Sequence, residues 1–95
     1  QVKVMVERIF KALSSPWRIE ILKRIAKEPL CQCEFEKSMA INITTISRHV
    51  RELVLADLIE VEQKGVMKIL HIKDKRILEI IELAEKITNK EKEHV

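Results

Sequence analysis

Residues 33–56 read CEFEKSMAINITTISRHVRELVLA, and the pattern of this stretch decides the fold. Phe35 and Met39 stand one helical turn apart, which predicts a short helix over about Cys33–Ala40. Ala40-Ile41-Asn42 then makes a tight turn, and Asn42 or Thr44 caps the helix that follows. That helix, about Ile43–Ala56, aligns Ile46, Val50, Leu53 and Val54 on one side and leaves Thr44, Thr45, Ser47, Arg48 and Arg51 on the other. Its outer face is built of hydroxyls and cations.

Upstream, residues 2–13 place Val2, Met5, Val6, Ile9, Phe10 and Leu13 at helical spacing. Ser15 and Pro16 open a second helix to about Lys27, with Ser15 as its N-cap, Pro16 at its first position and Ile21, Leu22, Ile25 and Ala26 toward the core. Glu28-Pro29 ends it, because proline holds the preceding residue extended. Downstream, 58–62 and 66–72 are β-branched and partly alternating, separated by Gln63-Lys64-Gly65, and read as a hairpin. Helical spacing returns over 74–89 through Ile77, Leu78, Ile80, Ile81, Leu83, Ala84 and Ile87. The order helix, helix, helix, helix, hairpin, helix is mainly α with a small β-hairpin, a winged helix-turn-helix.

At 95 residues and 11.2 kDa, one domain spanning 1–95 is expected, with the helix-turn-helix at 33–56 and the wing at 58–72. Lys plus Arg number 18 against 15 Asp plus Glu, a net charge of +3. Residues 1–59 hold 10 basic and 7 acidic side chains and 60–95 hold 8 of each, so the excess lies in the first segment, which should meet any polyanion. No run of about 18 apolar residues occurs and charges punctuate the first ten residues, so no membrane association and a cytoplasmic location are expected. Paired carboxylates, a glycine-rich loop and zinc-ligand spacing are all absent, and Ser47 and His49, two apart on a helix, point in different directions. The chain does not read as an enzyme.

Three stretches together, Ser15-Pro16-Trp17-Arg18-Ile19-Glu20-Ile21-Leu22, Leu30-Cys31-Gln32-Cys33-Glu34-Phe35 and Thr44 through Leu53, resemble the arsenic-repressor (ArsR/SmtB-type) family of metal-responsive transcriptional regulators over roughly residues 7–72. The resemblance implies a DNA-binding repressor. A recognition helix must bring short polar side chains and cations to the major groove, and residues 44–51 meet that requirement. Thr44, Thr45 and Ser47 are candidates for base edges or phosphates, Arg48 for guanine or phosphate, and His49 and Arg51 for the phosphate flank. Ile43 and Ala40 depart from the family, which often has a polar residue and a glycine there. Lys64 and, less so, Lys68 could grip phosphate from the wing, or simply keep an edge strand soluble.

Cys31 and Cys33 resemble the family's CxC thiolate site for As(III), Sb(III) or a thiophilic divalent metal. In a cytosolic chain they would be kept reduced. Both sulfurs can meet one atom only if the segment is not yet regular helix, since i and i+2 side chains diverge on a helix. Glu36 stands where relatives place another cysteine, and the residues by themselves favour reading the pair as two small, half-buried hydrophobes. The resemblance implies a second metal site on the last helix. Asp74 matches its first position, but Arg76 occupies the second and His94 lies in the tail.

The apolar positions from Ile77 to Ile87 cover an arc of roughly 220°, more than the roughly 100° that one-sided packing uses, and Met5 to Phe10 add about 140°. A homodimer through 2–13 and 74–89, bound to an inverted-repeat operator in double-stranded DNA, is the expected assembly. Two other readings stay open: a protein-interaction winged helix within a larger transcription assembly, and a regulator that is ligand-free or controlled by thiol redox state.

Overall fold

The structure, a computed structural model, describes residues 5–89. Its elements are α1 (Val6–Ala12), α2 (Pro16–Lys27), β1 (Leu30–Cys31), α3 (Gln32–Ser38), α4 (Ile43–Leu55), β2 (Ile59–Lys64), β3 (Met67–Ile72) and α5 (Arg76–Thr88). The expected helices and hairpin are present, making the chain a winged helix-turn-helix; positions 2–4 of the first expected helix lie outside the described residues. The local signals work as read. The Ser15 hydroxyl accepts from the Arg18 N–H at 3.4 Å with Pro16 at the first position of α2, and the Asn42 Oδ1 accepts from the Thr44 N–H at 2.8 Å.

The core packs Ile21, Leu22 and Ile25 of α2 against Phe35, Ile46, Leu53, Ile59, Leu70 and the inner face of α5 at Ile77 and Ile81. Ala26, expected inside, is only half-buried, and Val54 is 41% exposed. At about 100° per residue, Ile46 and Leu53 lie about 40° and 60° to one side of Val50, while Val54 lies about 40° to the other, past the edge of the buried stripe.

A strand not anticipated from the sequence, β1, makes the sheet three-stranded in the order β1-β3-β2, all antiparallel, with Leu30 opposite Leu70 and Cys31 opposite Ile69. The wing's tip also differs from the expected 63–65. Lys64 pairs with Met67 inside the ladder, and the connection is Gly65-Val66. Gly65 carries φ +60 at the first central position, where a type II′ hairpin turn requires a positive φ.

The chain leaves α4 through a left-handed residue, Asp57 (φ 62). The Asp57 N–H donates to the Val54 carbonyl at 3.0 Å and the Leu58 N–H to the Leu53 carbonyl at 3.1 Å, the paired bonds of a Schellman motif. Glycine is the usual residue there; here the Asp57 carboxylate instead pairs with Lys73, which raises the Lys73 pKa. The exposed pair is screened by solvent and weak, whereas the left-handed conformation costs a side chain about 1 to 2 kcal/mol. Asp57→Gly is therefore expected to leave the fold at least as stable, by up to about 1 kcal/mol, whereas Asp57→Val destabilises it by about 1 to 2 kcal/mol. Thermal melts of the two variants check the sign of each change.

Candidate nucleic-acid interface

Three buried side chains, Ile46, Val50 and Leu53, seat α4 on the core and so determine which of its residues face outward. Thr44, Ser47, Arg48 and Arg51 are exposed, and Thr45 and His49 are half-buried at the flank. Among the described residues neither Arg48 nor Arg51 has a carboxylate partner, so two uncompensated cations stand one turn apart on this face. Ile43, at the helix start, is 58% exposed. An exposed isoleucine there can meet a thymine methyl but cannot hydrogen-bond a base edge.

Two of these side chains are held by residues that the sequence did not single out. Gln32, between the two cysteines, is buried, and its amide donates to the Ser47 hydroxyl at 3.2 Å and to Glu36 at 3.4 Å. Ser47 therefore has its oxygen engaged from within while its own O–H remains to donate outward. Arg18 of α2 donates from Nη1 to the His49 Nδ1 at 2.9 Å, from Nε to the Ala12 carbonyl at 2.7 Å and from Nη2 to the Lys11 carbonyl at 3.2 Å. Both links span elements far apart in sequence, where periodicity carries no signal.

Burial, then the charges of Arg18 and Arg48, lower the His49 pKa from its usual 6.5. The unfolded chain binds the proton more readily, so this histidine reduces stability as pH falls from 6.5 through its folded-state pKa and leaves it unaffected above that window.

On the wing, Lys64 and Lys68 are exposed and, among the described residues, outside any ion pair, whereas Glu62 and His71 of the same hairpin pair across the strands at 2.8 Å. With Lys64 in the ladder rather than at the tip, its cation leaves the flank of the wing.

Cys31 is extended (φ −66, ψ 140) and caps α3, with its sulfur accepting from the Cys33 N–H at 3.2 Å. The condition for two sulfurs to converge is thus met, since the first cysteine precedes the regular helix. The structure joins the two as a disulfide, their Cα atoms 5.1 Å apart, where reduced thiols are the expectation for a cytosolic chain. The pairing follows from that backbone, which turns both side chains to one side at the mouth of α3. Two soft donors are present, but among the described residues no three His, Cys, Asp or Glu side chains gather into a group that could hold a metal. Glu36 is directed to Gln32. A three-ligand site is therefore not assembled from these residues.

The other metal position is taken up by an ion pair. Asp74 accepts from the Arg76 guanidinium and backbone, which lower its pKa to about 2, and His94 lies outside the described residues. No helix among the described residues is long and apolar enough to cross a membrane.

Residues 15–61, from the cap of α2 into β2, match the arsR family of bacterial regulatory proteins. Solved structures agree. A crystal structure of an ArsR family transcriptional regulator is 25% identical, covering 90% of each chain with TM-score 0.70. The homodimeric winged helix-turn-helix DNA-binding domain (fragment 1–100) from Mycobacterium bovis is 23% identical over 95% of this chain and 83% of its own, with TM-score 0.79. The AntR antimony-specific transcriptional repressor is 19% identical over 93% of this chain and 80% of its own, with TM-score 0.75. No curated protein matches the chain. Regulators of this family are DNA-binding transcription factors rather than enzymes. With a helix-turn-helix whose second helix turns two arginines outward, a short wing beside it and the family's own pattern over residues 15–61, this chain belongs to the arsR family and is a DNA-binding transcriptional regulator.

Proposed function

We propose that the protein is a homodimeric repressor, acting in the cytoplasm, that binds an inverted repeat in duplex DNA through α4 and whose affinity depends on the state of Cys31 and Cys33. The observation that carries the reading is the outer face of α4, where Arg48 and Arg51 stand exposed, without carboxylate partners among the described residues, beside the hydroxyls of Thr44 and Ser47. A face built to bind protein needs a clustered apolar or aromatic anchor, and this face carries no aromatic and only two separated aliphatic side chains, Ile43 at the start of α4 and Leu55 at its end. DNA binding is therefore favoured over a protein-interaction winged helix.

Dimer formation is supported by the apolar side chains left outside the core on two helices: Val6 and Phe10 on α1, and Ile80, Leu83 and Ile87 on α5. Control by the cysteines is supported by Gln32, which ties their segment to Ser47 on α4. Two chemistries fit a pair of sulfurs. Oxidation of the dithiol forms the S–S bond and releases two protons and two electrons, which a low-molecular-weight disulfide accepts on becoming two thiols. Capture of As(III), Sb(III) or a thiophilic divalent metal would draw both thiolates onto one atom, with fewer ligands than a three-sulfur site and with affinity that falls as pH drops and the thiols protonate.

The experiment is selection of duplex DNA from a random pool by the reduced protein, followed by titration of the selected complex with oxidised glutathione, As(III), Sb(III) or Cd(II). An inverted-repeat consensus and a 5-fold to 150-fold loss of affinity with at least one agent, absent in the Cys31→Ser, Cys33→Ser double variant, are expected. A pool without a consensus overturns DNA recognition. A consensus complex indifferent to every agent, or equal responses in the serine variant, makes the pair purely structural.

A further inference from the structure

We propose that Arg18 is a positioning residue for DNA recognition: by donating to His49 it holds the imidazole as a neutral Nε2–H donor on the flank of α4, and it ties that donor to the carbonyl end of α1. The inference rests on the reading of α4 as the DNA-contacting helix.

The argument begins with donor and acceptor counts. A guanidinium carries only donors, so the 2.9 Å contact from Arg18 Nη1 makes His49 Nδ1 the acceptor and leaves the ring's proton on Nε2. Nε2 makes no hydrogen bond among the described residues, and no buried side-chain nitrogen or oxygen lacks a partner, so Nε2–H opens to solvent. His49 lies one residue beyond Arg48 and one turn beyond Thr45, which places that donor on the Arg48 side of the outward face.

Arg18 is itself half-buried, and its other two arms end on the carbonyls of Lys11 and Ala12. Those carbonyls belong to the last turn of α1, where helix acceptors lack intrahelical donors; the Lys11 carbonyl also accepts from the Ser14 N–H at 3.1 Å and the Ser14 hydroxyl at 2.6 Å, whereas the Ala12 carbonyl is met by Arg18 Nε. Capping α1 would use only Nε and Nη2. The third arm crosses to a ring 31 residues away, on the helix that the fold turns outward. Arg18 thus joins the end of α1, a helix with an unpartnered apolar face, to one donor on α4. A lysine cannot replace it, because an ammonium lacks the planar fork that reaches three acceptors in fixed directions.

The test uses the full chain. A long-range 15N–1H spectrum of the free protein at pH 7.5 is expected to show His49 with Nδ1 unprotonated and Nε2 protonated, and to show both tautomers in Arg18→Gln. With a labelled duplex recovered from a random pool by the wild-type protein, Arg18→Gln, Arg18→Lys and His49→Ala should each lower affinity about tenfold. The Arg18→Gln, His49→Ala double variant should lose no more than either single, because the two residues act as one unit. None of them should change the slope of affinity against salt, whereas Arg48→Ala should weaken binding and, if Arg48 binds phosphate, reduce that slope by about one.

A wild-type ring protonated on Nδ1, or single losses that multiply in the double variant, overturns the inference. So do Arg18 and His49 variants at wild-type affinity while Arg48→Ala binds weakly. If Arg48→Ala also binds as wild type, the reading of α4 fails and this inference falls with it. Arg18→Gln that melts before binding can be measured leaves the His49→Ala affinity and the wild-type spectrum to decide.

Discussion

Arg48→Ala, Arg51→Ala together are expected to reduce affinity for the selected duplex by about 100-fold or more. Each arginine that contacts a base edge or phosphate contributes about 1 to 3 kcal/mol, and each phosphate contact adds about one to the slope of log affinity against log salt. Both side chains lie outside the core and outside ion pairs among the described residues, so the variant should melt close to wild type. Fluorescence anisotropy across a salt series, beside a thermal melt, reads both effects. Retained affinity with an unchanged salt slope would remove α4 from the interface. If Arg48 reads guanine, its single variant should lose discrimination at one position of each half-site; if it binds phosphate, all sequences should weaken together.

The second large effect is expected from Leu83→Glu. In the single chain Leu83 is 61% exposed, so a carboxylate there should cost the fold little. At a two-fold interface the same change meets its own copy or the apolar side chains of α1, where Phe10 is 57% exposed and Ile87 of α5 is 75% exposed. Buried without a partner, the carboxylate disfavours association. Sedimentation at micromolar concentration should show a dimer for wild type and a monomer for the variant. Two recognition helices on one dimer reach half-sites about 34 to 36 Å apart, and loss of the linkage should weaken binding to the full inverted repeat by about 100-fold to 10,000-fold while half-site binding persists. A wild-type protein that sediments as a folded monomer would overturn the dimer. A dimeric Leu83→Glu would move the interface away from α5.

The helices were legible because each buries one stripe, and a stripe repeats with the helical period: Ile46, Val50 and Leu53 announce α4 as plainly as Ile21, Leu22 and Ile25 announce α2. The caps at Ser15 and Asn42 were legible because a short side chain meets its own backbone within three residues. The outer face of α4 follows from the same periodicity, since what is not in the stripe is outside it. So does the surplus of apolar positions on α5, which the core covers at Ile77 and Ile81 and leaves open at Leu83 and Ile87.

Other features depend on partners distant in the chain, and only the tertiary structure decided them. Strand β1 has two residues, too few for a period, and exists because Leu30 and Cys31 lie along Leu70 and Ile69 of β3. Val54 left the core because the packed arc stops short of it, a matter of where α2 and β2 sit rather than of its hydrophobicity. The wing turned at Gly65-Val66 because a positive φ is cheapest at the glycine, and this carried Lys64 into the ladder. Convergence of the cysteines was conditional in the sequence and became actual only when β1 pairing held Cys31 extended ahead of α3. Gln32 under Ser47 and Arg18 against His49 are the clearest cases. A polar side chain is buried at acceptable cost only where a partner waits, and those partners are 15 and 31 residues away. Sequence periodicity determined which surfaces this regulator could present; long-range packing decided which side chains on them are held in place, and by what.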